Sequence, residues 1–259
     1  MMLNASVKRS FKKHLAEGQP QLGTFVKINS PEMIELLGMA GFDFIIIDME
    51  HTTLAFHQVE QMVRVADLHR MSTIIRLPDS SRSSILRALD LGASGIQVPQ
   101  IDNVNEVKEI VDKSKYHPQG SRGLTFAHRA AKFGNTPKDY LEEENLATTV
   151  AVHIETVGAF EDVEAICTVD GLDVVFIGPL DLSVSLELEA NYIDGSLADP
   201  VKRIVDACRE NHKIPGIAVS NVEQYQFALN KGIPYIVWSS DVALFKQAID
   251  SVIQLTREN

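Results

Sequence analysis

Charged side chains and histidines gather where this chain's short apolar runs end. The run FIIIDMEH closes on Asp48, Glu50 and His51, and the run TIIR closes on Arg76 before Leu77-Pro78. The segment VHIE closes on His153 and Glu155, and VVFIGPLD leads to Asp181. Glu155 and Asp181 offer hard oxygen donors, suited to Mg²⁺, Mn²⁺ or Co²⁺ with water or substrate completing the shell. His51 has the one side chain that titrates near neutrality unperturbed, so it is the candidate for proton transfer. Arg76 carries a fixed charge that could steady a developing enolate oxygen. Plainer readings stand beside these: an ion pair between Arg76 and a carboxylate, and a loop hydrogen bond for His51. Residues two apart on a strand share a face, which turns His153 and Glu155 the same way.

These residues need elements that bring them to one place. Eight apolar runs recur, each followed by a turn and a helical pattern: Leu22–Ile28, Phe44–Asp48, Thr73–Arg76, Gly95–Pro99, Thr149–Glu155, Val174–Gly178, Pro215–Val219 and Tyr235–Trp238. Strands alternating with helices predict parallel β/α units, and continuous apolar runs fit strands covered on both faces. Ser30-Pro31 supplies an N-cap and a first-turn proline, Gly41 closes that helix, and Thr136-Pro137 repeats the start signal. No linker or low-complexity stretch interrupts the series, so residues 1–259 read as a single (β/α)₈ TIM barrel domain with a short N-terminal helix. In such a barrel the strand ends converge on one mouth, so the residues above would share a site. No dinucleotide glycine fingerprint or P-loop is present. The H-x-E at His153 lacks the P-C-x-x-C of zinc deaminases. Schiff-base chemistry needs an inward lysine, and only Lys27 is placed for it, where neutralising nearby carboxylates is the simpler role.

Composition narrows the partners. With 45% hydrophobic residues among 259 the chain can bury a large core. Its 24 basic and 35 acidic residues leave a net charge of −11, which disfavours nucleic acid and anionic membrane surfaces. No apolar run has the length of a membrane span. The basic start (Lys8, Arg9, Lys12, Lys13) is followed by no apolar stretch, so it reads as an amphipathic helix over the barrel floor rather than a signal peptide. Cys167 and Cys208 lack metal or redox spacing and read as buried thiols of a reducing cytoplasm. About fifty residues separate the fourth and fifth strands, including Tyr116–Asn135, and long loops in compact domains are often functional.

Taken with their surroundings, these segments resemble the HpcH/HpaI family of class II pyruvate aldolases, within the phosphoenolpyruvate/pyruvate barrel superfamily. The resemblance runs from about Gly23 to Leu244 and is carried by AGFDFIIIDMEH, the IIRLP around Arg76, LDLGASGIQVP, YHPQGSRG, HIET and VDGLDVVFIGPLDLS. It implies a divalent metal (Mg²⁺, Mn²⁺ or Co²⁺) on Glu155 and Asp181, enolate stabilisation by Arg76 and acid–base work by His51. The amides of Leu180 and Asp181, after Gly178-Pro179, would receive a pyruvate carboxylate. Asp90 would support the histidine of a neighbouring subunit, which implies a homo-oligomer, a trimer or hexamer. Asp48 and Glu50 would support the site from the rim. The activity implied is cleavage of a 4-hydroxy-2-oxo acid to pyruvate and an aldehyde. The alternatives are an oxaloacetate-type decarboxylase, a citrate-lyase type acting on CoA thioesters, for which no nucleotide-binding patch is visible, and a non-catalytic 2-oxo acid binder. The chain departs from the family at His153, where a glutamine is usual, and at Leu124–Ala130, which is bulkier and adds His128. From its strand position His153 either ligates the metal or donates a hydrogen bond to substrate or metal-bound water.

Overall fold

The computed structural model describes residues 3–257. Eight parallel strands close a barrel in chain order: β1 Gln21–Val26, β2 Phe44–Asp48, β3 Ser72–Arg76, β4 Gly95–Val98, β5 Thr149–Ile154, β6 Val174–Ile177, β7 Ile214–Val219 and β8 Tyr235–Ser240. The helices are α1 Leu3–Ala16, α2 Pro31–Ala40, α3 Phe56–Leu68, α4 Arg82–Asp90, α5 Val104–Ser114 and α6 Tyr140–Ala147. They continue with α7 Val157–Glu161, α8 Val163–Cys167, α9 Pro179–Ser185, α10 Ala198–Glu210, α11 Val222–Asn230 and α12 Asp241–Arg257. The architecture is the (β/α)₈ barrel that the repeat predicts.

Local chemistry sets the element ends. Ser30 Oγ accepts the Met33 amide at 3.1 Å to start α2, and Gly41 ends it with φ of 94°, a left-handed conformation that glycine adopts at little cost. Thr136-Pro137 does not start a helix; it leads into a turn, and α6 begins at Tyr140. β1 stops at Val26, short of Ile28, because the amides of Lys27 and Ile28 donate instead to the two carboxylate oxygens of buried Asp241, at 3.0 and 2.9 Å. Those bonds tie the top of β1 to the end of β8, where the barrel closes.

Period-two alternation divides each strand between two cores. Ile45 and Ile47 of β2, Val150 and Val152 of β5 and Val175 and Ile177 of β6 face the helices. Phe44, Ile46, Phe176 and Tyr235 fill the barrel itself, joined by Phe11 of α1. Phe11 stacks 5.1 Å from Phe44, so α1 closes the floor as its amphipathic pattern predicts. Burying each such side chain contributes roughly 1.5–3 kcal/mol. The same alternation, carried up the strands, turns Asp48, Arg76, Gln97 and His153 inward beneath the mouth.

The long interval between β4 and β5 starts at the floor, because α5 runs back from the mouth. It packs along α4: Arg122 pairs with Asp90 at 2.8 Å, the Ala130 amide donates to Asp90 O at 3.2 Å, and Arg129 bonds Leu91 O at 3.0 Å and Asp67. Of α12 only Asp241 is buried; Val242, Phe245, Ile249 and Val252 recur at helical spacing and lie exposed. Among the described residues no helix is long and apolar enough to cross a membrane.

Candidate active site

At the top of β2 the buried Asp48 carboxylate is the centre of a charge network. Arg76, across the β2–β3 pairing, grips it with two parallel bonds, Nε to Oδ1 at 2.9 Å and Nη2 to Oδ2 at 2.6 Å. Lys27 Nζ reaches Asp48 Oδ2 at 3.0 Å, and the amides of Glu50 and His51 donate to Oδ1 at 3.0 and 3.2 Å. Arg76 Nη1 adds a 3.0 Å pair to Glu50 and lies over the Phe25 ring at 4.5 Å. Arg76 is thus ion-paired, with Asp48 and Glu50 and not with Glu155 or Asp181, and Lys27 neutralises a carboxylate. A guanidinium has five N–H groups, and these contacts use three, leaving two for another anion.

Burial raises the cost of charge on Asp48, but the Arg76 and Lys27 contacts outweigh it and bring its pKa from 3.8 to about 2. A carboxyl lowered by folding stabilises the fold above its unfolded pKa, and that contribution is lost as pH falls through the folded value. Roughly 2 kcal/mol of stability is therefore expected to disappear between about pH 4 and pH 2. Urea midpoints measured across that range should fall less steeply in Asp48→Asn than in the unmodified chain.

Glu155, one residue past β5, is 2% exposed. Its Oε1 accepts the Gln100 amide at 2.8 Å and Gln100 Nε2 at 2.9 Å, and its Oε2 lies 2.8 Å from His153 Nδ1. Burial again opposes charge, yet His153 and the Gln100 amide hold this carboxyl below the usual range. Gln100 reaches this position from a left-handed backbone, φ 54°, just after Pro99. His153 is buried with its ring 4.8 Å from Phe176, and its Nε2 lies 2.6 Å from Gln97 Nε2. Both of its ring nitrogens are thus engaged by protein groups. Glu50 is pushed up, first by burial and in part by the charge of Glu155, with Arg76 opposing. His51 is exposed and stands 3.6 Å from Glu50. Asp181 is exposed in the first turn of α9, after the Gly178-Pro179 turn.

Asp90 is not among these groups. It ends α4 at the floor, with its carboxylate on Arg122 and 3.6 Å from His128. Gln97, Gln100 and Tyr235 are site residues that reading the chain did not single out. A usable signal was present: Gln97 is a polar side chain inside the apolar run GIQVP, and Gln100 follows at its end.

The donor set suits a hard divalent cation. Among the described residues no group of three or more His, Cys, Asp and Glu could hold a metal, so Glu155 and Asp181 would leave most positions to water and substrate, as Mg²⁺ and Mn²⁺ tolerate. Gly178 keeps space open beside Glu155: a Cβ there would stand 2.7 Å from Oε2. The mutual repulsion of Glu50 and Glu155 is what such a cation would relieve. A barrel mouth with buried carboxylates and an arginine is an arrangement that can bind an oxo acid and stabilise negative charge on it.

The comparisons with known proteins agree with that class. Residues 21–248 match the family model described as HpcH/HpaI aldolase/citrate lyase. A 2-keto-3-deoxy-L-rhamnonate aldolase from Salmonella gallinarum is 30% identical over 254 residues, covering 96% of this chain and 93% of the relative. A 5-keto-4-deoxy-D-glucarate aldolase from an Enterobacter species is 30% identical over 247 residues, covering 95% and 96%. The crystal structure of an HpcH/HpaI aldolase from Desulfitobacterium hafniense superposes with a TM-score of 0.91 at 27% identity, over 96% of each chain. The chain belongs to the HpcH/HpaI aldolase/citrate lyase family, and it is a lyase of the aldolase class. The family is generally dependent on a divalent metal.

Proposed function

We propose that this chain cleaves a hydroxylated 4-hydroxy-2-oxo acid, of the deoxy-keto sugar acid type in its relatives' names, to pyruvate and an aldehyde. The observation that carries the reading is Glu155: almost fully buried, ionised, and with room beside Oε2 at the mouth. Glu155 and Asp181 would hold Mg²⁺, Mn²⁺ or Co²⁺, which supplies Lewis-acid polarisation of the 2-oxo group. The first-turn amides of Leu180 and Asp181 have no acceptor within α9 by position and receive the substrate carboxylate. His51 takes the proton of the 4-hydroxyl. The C3–C4 bond then breaks, its electron pair passes to the pyruvate enolate, and the remaining N–H groups of Arg76 face the enolate oxygen. Protonation at C3 gives pyruvate. Asp48 and Glu50 hold Arg76 in place.

The whole chain, residues 1–259, acts as one catalytic domain in this reading, since barrel closure draws on strands from Gln21 to Ser240. It works as a homo-oligomer, trimer or hexamer. The exposed apolar stripe of α12 supports assembly, and the floor position of Asp90 suits a role at a neighbouring copy's His51. The buried thiols of Cys167 and Cys208 fit a reducing cytoplasm. Phe245→Glu is expected to shift the mass measured by light scattering toward that of one chain; an unchanged mass would remove α12 from the interface.

The deciding assay incubates the enzyme with 2-keto-3-deoxy-L-rhamnonate, 5-keto-4-deoxy-D-glucarate and related acids, with Mn²⁺ or Mg²⁺. Equal yields of pyruvate and aldehyde are expected from at least one of them. Pyruvate and CO₂ from oxaloacetate, with no aldehyde from any member of the panel, would favour a decarboxylase.

A further inference from the structure

A run of hydrogen bonds crosses the barrel interior, and its polarity can be read group by group. Tyr235 at the base of β8 sets its hydroxyl 2.8 Å from Gln97 Oε1. Full burial holds this phenol far above its ordinary range, so its O–H is present to donate. With Oε1 accepting, Gln97 turns its amide nitrogen to His153 Nε2, 2.6 Å away. An amide nitrogen only donates, so Nε2 accepts and carries no proton. The proton of the neutral imidazole then sits on Nδ1, 2.8 Å from Glu155 Oε2, and a carboxylate oxygen only accepts. With the Gln97 amide placed this way, a ring protonated on Nδ1 alone is the assignment that satisfies all three contacts. With the amide reversed and the ring neutral, a bare Nδ1 lone pair would face the carboxylate, an unsatisfied contact in a site with almost no solvent.

The arrangement also settles the carboxylate. Gln100 holds Oε1 through its backbone and side-chain N–H groups while His153 holds Oε2, and Phe176 packs against the imidazole. The two Gln100 bonds occupy both lone pairs of Oε1, whereas Oε2 keeps one, and it borders the space that Gly178 leaves open. We infer that Tyr235, Gln97 and His153 form a one-way hydrogen-bond relay that selects the Nδ1–H tautomer of His153 and thereby aims the Glu155 carboxylate at its metal. His153 is a positioning residue: it acts through Glu155. The inference rests on the assignment of Glu155 as a metal ligand in the proposed reaction. It also accounts for the departure from the family's glutamine. A glutamine at 153 could accept from Gln97 through Oε1 and donate to Glu155 through Nε2, repeating the same polarity with a different side chain.

The test uses the full chain without substrate. Mn²⁺ affinity is measured from the electron paramagnetic resonance signal of the free ion, and the His153 tautomer from imidazole ¹⁵N NMR of the metal-free protein. We expect a proton on Nδ1 and none on Nε2. Groups that orient a ligand typically contribute 10- to 100-fold in metal affinity, so His153→Leu should weaken Mn²⁺ binding by roughly that factor. His153→Gln should restore most of it. Tyr235→Phe removes a single oxygen without changing shape, so it keeps the question open should His153→Leu fail to fold. It should yield a mixed tautomer and a smaller loss of affinity. A proton on Nε2 in the unmodified chain overturns the relay, as does His153→Gln binding Mn²⁺ no better than folded His153→Leu. Failure of the aldol reading shows differently: the expected tautomer and Mn²⁺ series would stand while no acid in the panel releases an aldehyde.

Discussion

Arg76→Ala is expected to lower kcat by roughly 10² to 10³, about 2.7–4 kcal/mol, the usual loss when a donor aimed at developing charge is removed. The structure makes this a demanding test, because the same guanidinium grips buried Asp48 and pairs with Glu50. Removing it also leaves Asp48 with Lys27 as its remaining side-chain cation, so some stability is lost as well. Arg76→Lys separates the two effects. A lysine ammonium can stay close to Asp48 and retain part of the fold's stability, but it cannot grip that carboxylate in two places and still present N–H groups to an enolate. The expected result is a folded Lys variant, by circular dichroism and thermal melting, with kcat still reduced by at least tenfold. A Lys variant with near-normal kcat would mean that Arg76 serves the Asp48 network alone.

Excess EDTA is expected to abolish turnover and added Mn²⁺ to restore it. Two carboxylate ligands give modest affinity, so a chelator should compete readily. Loss of Lewis-acid polarisation, worth several kcal/mol, corresponds to a fall in rate of more than about 10²-fold. Borohydride added during turnover should trap no adduct. Lys27, the one lysine that reading the chain placed at the mouth, has its Nζ 3.0 Å from Asp48 Oδ2, and an ammonium in an ion pair is not the neutral amine that attacks a carbonyl. Full activity in EDTA together with a trapped adduct would replace the metal mechanism by a Schiff base on Lys27.

Much of the fold was legible along the chain because barrel physics is local and repetitive. Strands covered on both faces must be apolar throughout, so FIIID and VVFI announced β2 and β6, and Ser30-Pro31 with Gly41 marked both ends of α2. The strand-end positions of Asp48, Arg76 and Glu155, and that of Asp181 in the helix turn beyond β6, followed from the same count, since a parallel barrel turns every strand's end to one mouth. Strand ends were less legible where a distant group competes for the backbone: Asp241 takes the amides of Lys27 and Ile28 across 214 and 213 residues of sequence.

Residue order alone is enough to specify the barrel, its family and the chemical groups at the strand ends, because residue type and period-two spacing depend only on neighbours along the chain. What the tertiary structure decided is which of those groups answer one another. It divided the carboxylates between Asp48, held by Arg76 and Lys27, and Glu155, held by His153 and Gln100. It sent Asp90 and the long loop to the floor, although their residues follow those of the mouth closely in sequence. It also joined Tyr235 to Gln97 over a separation of 138 residues. Hydrogen bonds and ion pairs act over about 3 Å in space, and only closure of the barrel brings β8 within that distance of the inner face of β4.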